Sequence, residues 1–148
     1  MAKVITAVEP LELQEFSIFL AGAIDMGNAV DWQSYVIDEL SEYDDLVIVN
    51  PRRPNFTADT LDEQIHWELK ALEDVDLVFM WFPKSAKAPI SFLETGLYLK
   101  SNKIVIGAED EFYRQRNLEI TSERYGTPLF NNLNVMIIET LIRKANRE

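Results

Sequence analysis

The chain has 148 residues, 47% hydrophobic and 26% charged, with a formal net charge of −11 and no cysteine. That suits one globular domain, residues 1–148, with a sizeable core, and it excludes a disulfide framework, a thiol nucleophile and a thiolate metal site. The acidity argues against a protein that lives on a nucleic-acid polymer, because neutralising phosphates needs clustered Lys and Arg.

Residues 1–14 read as an extended lead-in and resemble no signal peptide. With no apolar run of membrane length, a cytoplasmic protein without membrane contact is expected. The single histidine, His66, would leave a zinc site made almost wholly of carboxylates, so no metal and no cofactor is expected. Four short apolar runs follow: "FSIFLA" (16–21), "DLVIVN" (45–50), "DLVFMWF" (76–82) and "KIVIGA" (103–108). They are rich in β-branched and aromatic residues and bounded by polar ones, as strands buried on both faces of a parallel sheet are.

Helical stretches separate them. Residues 29–43 carry Trp32, Val36 and Leu40 at helical spacing, and 59–75 carry Leu61, Ile65, Leu69 and Leu72 on one predicted face. Residues 89–101 form a third helix. A looser segment (109–131) leads to a last helix at 132–147, with Val135, Ile138 and Leu141 on one side. The alternation predicts a single-domain, doubly wound α/β fold, flavodoxin-like or Rossmann-like. Its sheet of four to five strands would be mainly parallel, with helices on both faces. Ligands in such sheets bind beyond the carboxyl ends of the strands.

Those ends hold the candidate site. In "FLAGAIDMGN" a strand opens into a turn at Gly22 and Gly27, and the backbone of Ala21, Gly22, Ala23 and Ile24 suits a phosphate or sugar hydroxyl. A plain strand-to-helix turn fits equally. "NPRRPNF" places Arg52 and Arg53 side by side, to grip an anion bidentately or to pair with surface carboxylates. On the second helix Gln64, Glu68 and Leu72 share a face, whereas Asp74 and Asp76 lie at the opposite end of the sheet as structural groups. Trp81, Phe82 and Phe92 fit core burial or a pocket wall.

"APISFLETGLYLK" (88–100) sets Glu94 in an apolar helix that starts at Pro89. Its carboxylate lies in the first turns, where the helix dipole favours the ionised form. Ser91 is about one turn back and Tyr98 one turn on, while Gly96 weakens the helix by ~1 kcal/mol and implies a close approach. Such a carboxylate suits a nucleophile or the stabilisation of an oxocarbenium ion, although a solvated surface Glu has the same pattern.

Taken in order, "IFLAGAI", "NPRR", "QIHWE", "DVDLVFMWFP" and "FLETG" resemble the nucleoside 2-deoxyribosyltransferase family and its nucleotide N-glycosidase relatives. The resemblance runs from "FSIFLAG" to about "YRQRNLE" and is strongest to the branch carrying the Asn-Pro-Arg-Arg and Trp-Glu segments. It implies that Glu94 attacks the anomeric carbon of a 2-deoxyribosyl group, with Gly96 as the matching glycine. Glu68, eight residues before Asp76, stands where relatives usually carry a substrate-touching Asp. Phe19 occupies the place of a Tyr that commonly orients the nucleophile, and Tyr98 is the residue here that would replace that hydroxyl. Gln64, Arg52, Arg53, Pro89 and Ser91 would border the substrate, and Asn117 would reach the site of a neighbouring subunit. An Asp or Ser shortly before the nucleophile has no clear equivalent in "KSAKAPIS".

The expected protein is therefore a homo-oligomeric enzyme acting on the N-glycosidic bond of 2-deoxyribonucleosides or their 5′-monophosphates. The alternatives are a nucleotide N-glycoside hydrolase and a catalytically silent nucleotide-binding module.

Overall fold

The computed structural model describes residues 1–24, 30–52 and 60–147. In chain order the elements are β1 (Lys3–Thr6), β2 (Phe16–Gly22), α1 (Trp32–Leu40), β3 (Leu46–Asn50), α2 (Leu61–Asp74), β4 (Leu77–Phe82), α3 (Pro89–Tyr98), β5 (Ile104–Ala108), α4 (Gln115–Arg124), β6 (Leu129–Phe130) and α5 (Leu133–Arg147). The sheet has six strands in the order β1-β3-β2-β4-β5-β6, and every pairing is parallel. From β3 to β6 this is the flavodoxin-like order, extended at one edge by β1. The expected doubly wound α/β fold is observed, with six strands rather than four to five.

The apolar runs form the strands because both faces are covered. Every residue of β4 and β5 is buried, as are the first four of β3. One core layer joins Phe19, Val49, Met80 and Phe82 to Trp67, Ala71 and Leu72 of α2 and Leu118 of α4. The other joins Ile18, Ile48 and Phe79 to Trp32 and Val36 of α1 and Met136 and Ile137 of α5. Trp81 and Phe82 are buried within these layers, and Phe92 is half-buried with its ring 5.1 Å from that of Phe82. All three aromatic residues thus serve packing.

At the amino ends of the strands, polar groups close the sheet. Asp76 Oδ2 accepts from the Ser17 backbone N–H (2.9 Å) and pairs with Arg147. Lys144 Nζ pairs with Asp45 at 2.6 Å. The structural reading of Asp76 agrees with this.

On two helices the apolar row read from the sequence is not the main core face. On α2 the buried residues are Gln64, Trp67, Ala71 and Leu72, whereas Leu61, Ile65 and Leu69 are exposed. On α5 the core side is Met136, Ile137 and Thr140, whereas Val135 and Ile138 are exposed. Only the last residue of each row meets the core: Leu72 is fully buried, and Leu141 packs against the core. Trp67 decides the face of α2: its indole N–H donates to the Glu9 carbonyl (2.8 Å) and its ring packs on Phe19.

Candidate active site

After β2 the chain turns through α1 toward one sheet edge, and after β4 it turns through α3 toward the other. The carboxyl ends of these neighbouring strands form the topological switch point, where such sheets bind ligands. Gly22 closes β2 there with φ +135°, and a Cβ on it would lie 2.2 Å from the Trp81 carbonyl, so no side chain is tolerated. The next residue is tied inward: the Ala23 N–H donates to the Trp81 carbonyl (3.3 Å), and its own carbonyl accepts from the Trp32 indole (3.1 Å). Ala21 and Ala23 are buried, Gly22 and Ile24 half-buried. Gly27 and Arg53 lie outside the described residues.

α3 carries the main feature. Its inward face consists of Ser91, Glu94 and Thr95, all buried, while Ile90, Leu93 and Leu97 face outward at 61%, 64% and 56% exposure. A helix on a hydrophobic core normally shows the reverse. The chain enters α3 through Ala88, a buried residue in the left-handed region (φ 53°), at a local cost of ~1–2 kcal/mol for a non-glycine. Pro89 then occupies the first turn, exposed, and suits it because its missing N–H would have no helical partner there.

Glu94 is 6% exposed. Among the described residues its carboxylate has no hydrogen bond or ion pair. Burial raises its pKa to about 8, and the negative charge of Glu68 adds to the shift, so the ionised form expected from the helix dipole is not the favoured one. Glu68, half-buried on α2, is also raised by burial, with a hydrogen bond from Gln64 opposing that rise. Two acids with raised pKa values thus lie near the switch point, the kind of perturbation that functional sites often carry.

Around the end of β3 a polar cluster is fixed. Gln64 Nε2 donates to the Pro51 carbonyl (3.0 Å). Arg52 donates from Nε to Gln33 Oε1 (3.1 Å) and from Nη2 to the Val30 carbonyl (3.2 Å), and it pairs with Asp31 at 3.6 Å. Its guanidinium therefore ties the start of α1 to the rim. Gln33 Nε2 and Gln64 Oε1 remain enclosed without partners among the described residues, an arrangement that costs ~1–3 kcal/mol per group.

The structure thus gathers Glu94, Glu68, Gln64 and Ser91 beneath α2 and α3, with Arg52 at the neighbouring rim. Phe19 is fully buried core against Trp67. Tyr98 sits at the far end of α3, its ring 5.1 Å from Lys103 Nζ. Burial raises its pKa, as do the carboxylates of Glu73, Glu94 and Asp74. Among the described residues no hydrogen bond joins its hydroxyl to Glu94. Asn117 is exposed on the first turn of α4.

Gln33 is the residue that sequence reasoning passed over. Its only signal is an amide beside Trp32 on the core side of a helix. Hollows of about 490 Å³ beside α4 and β6 and about 190 Å³ at the amino ends of the strands lie away from Glu94. The carboxylate pair, rather than hollow size, identifies the candidate site. Among the described residues no cluster of His, Cys, Asp or Glu could hold a metal, and no helix is long and apolar enough to cross a membrane.

No curated protein matches the chain. The family model described as "Nucleoside 2-deoxyribosyltransferase like" matches residues 15–112, from just before β2 to just before α4. The match takes in Glu68, Glu94 and the Asn50–Arg52 rim, and ends short of Asn117. On that match the chain belongs to the nucleoside 2-deoxyribosyltransferase-like family.

Proposed function

We propose that this chain cleaves and transfers the N-glycosidic bond of 2-deoxyribonucleosides or their 5′-monophosphates through a glycosyl ester on Glu94. Family membership supports glycosyl transfer in general. The observation that carries the finer reading is the inward, unpaired carboxylate of Glu94 beside Glu68 on an otherwise outward-apolar helix.

The chemistry balances with this pair alone. Near neutral pH the raised pKa keeps a proton on Glu94. As the C1′–N bond lengthens, that proton passes to the departing base, relayed by Glu68, and the freed Glu94 oxygen bonds to C1′. The base leaves as its neutral N–H form. An incoming base attacks C1′ from the vacated side, returns its proton to the pair and releases Glu94. Water in the same position would give the free sugar, so exclusion of water separates transfer from hydrolysis.

A second copy of the chain is the partner this reading calls for. α2 and α3 both turn apolar side chains outward above the acidic pair, and a copy packed there would seal the site from water. Asn117, outside the matched family region, is the residue we assign to reach a neighbour's site.

The test is incubation with deoxynucleosides and free bases, followed by intact-protein mass spectrometry. Wild type is expected to exchange bases and to gain the mass of a deoxyribosyl group on the peptide holding Glu94, and Glu94→Gln to lose both. Turnover that survives the substitution overturns the assignment.

A further inference from the structure

The larger hollow, of about 490 Å³, lies at the β6 edge of the sheet, away from Glu94, and the glycosyl chemistry makes no use of it. Hollows of this size hold small molecules. Three carboxylates line it, Asp110 just after β5 and Glu119 and Glu123 on α4, and among the described residues none that lines it is basic. Asp110 is held in place, because its Oδ1 accepts from Gln115 Nε2 (3.3 Å) and from Asn131 Nδ2 (3.5 Å). Glu119 makes a loose pair with exposed Arg116 at 3.9 Å, a contact that costs little to exchange. The Glu123 carboxylate has no partner among the described residues.

A buried hydroxyl adds a second, independent sign of a ligand. Ser122 lines the same hollow and is 2% exposed, and its Oγ has no hydrogen-bond partner among the described residues. An enclosed hydroxyl left in this way costs ~1–3 kcal/mol, and a molecule in the hollow would supply what it lacks. Pro128, Leu129 and Phe130 complete the lining with an apolar wall.

We infer that this hollow binds an aliphatic diamine or polyamine. A metal ion needs its ligands gathered at one point, and among the described residues no three acids are so gathered. Carboxylates spread around a hollow instead suit positive charges spread along a chain. The ammonium groups donate to the carboxylates and to Ser122 Oγ, and the methylenes between them lie on the apolar wall. The inference is independent of the reading of Glu94.

Calorimetry on the full chain at low salt, with putrescine and with spermidine, tests it. Expected is saturable binding of one molecule per chain, weaker for butylamine, which brings a single charge. Ser122→Ala removes the hydroxyl and leaves every charge in place. It is expected to raise the dissociation constant about tenfold, the loss of one charge-assisted hydrogen bond, at an unchanged or higher Tm. Glu123→Gln should raise it likewise, whereas Glu42→Gln, at an exposed position outside the hollow, should leave it unchanged. Wild type that shows no saturable binding overturns the inference. So does equal weakening by Glu42→Gln and Glu123→Gln, because the amine would then follow net charge alone. Binding that ignores both Ser122→Ala and Glu123→Gln places the amine elsewhere and overturns it too.

Discussion

Glu94 concentrates the tension between folding and chemistry. An ordinary glutamate loses its proton near pH 4.5, and the folded chain holds this one to about pH 8. Below pH 4.5 the side chain is protonated folded or unfolded and does not bias folding. Between the two values the unfolded chain ionises first, so stability falls as pH rises and levels off above pH 8. The loss is on the order of a few kcal/mol, since each unit is worth ~1.4 kcal/mol. Glu94→Gln lacks this slope. Its melting temperature should match wild type near pH 4 and exceed it increasingly up to pH 8, because other titrations cancel in the difference. Glu68→Gln removes the second cause of the shift and should lower the upper end of that window. Parallel melting curves for wild type and Glu94→Gln would contradict the raised value. The acid itself was legible in the sequence as a charge among apolar residues; its inward direction was not. Helical periodicity fixes which residues share a face and leaves open which face meets the sheet.

Elements were legible in proportion to the apolar surface they bury. The four long strands and α1, α2, α3 and α5 were all expected, and each presents several core residues. β1, α4 and β6 were missed for a common reason. β1 is an edge strand in which Ile5 alone is buried, β6 has two residues, and α4 buries only Leu118 and Ser122. A helix with one apolar anchor carries almost no periodic signal. The end of α2 shows what supports an element beyond periodicity. Its last turn has no basic residue of its own. Lys103, from the start of β5, reaches in and donates to the carbonyls of Leu72 (2.6 Å), Glu73 (3.0 Å) and Val75 (3.1 Å), groups that a helix terminus leaves without partners. Lys103→Met keeps much of the stem and loses the donors. It is expected to destabilise the fold by ~1–3 kcal/mol in urea unfolding, with an unchanged m-value. Loss of less than ~0.5 kcal/mol would mean that solvent satisfies these carbonyls equally well.

At the scale of the whole molecule, two helices on one sheet face leave apolar side chains outward, and α3 also puts polar groups inward. Leu61, Ile65 and Leu69 on α2 and Ile90, Leu93 and Leu97 on α3 are all at least 40% exposed. Gly96 lies in this same surface. Among the described residues a Cβ added there meets nothing within 4 Å, so they give no reason for a glycine that weakens its own helix. In the proposed assembly the reason is a second copy, whose backbone approaches α3 at that point. Gly96→Ala discriminates between the two situations. In the isolated chain alanine relieves the helix penalty and should raise stability by up to ~1 kcal/mol. Against a neighbouring copy the added methyl intrudes, so the dimer dissociation constant from analytical ultracentrifugation should rise tenfold or more. Each copy carries −11, so association should also tighten as salt screens the repulsion, until the Debye length falls below the spacing of the charges. A variant that gains stability while associating as tightly as wild type would place the contact away from Gly96. A wild-type chain that stays monomeric at every concentration and ionic strength would leave the outward apolar face without the partner proposed for it.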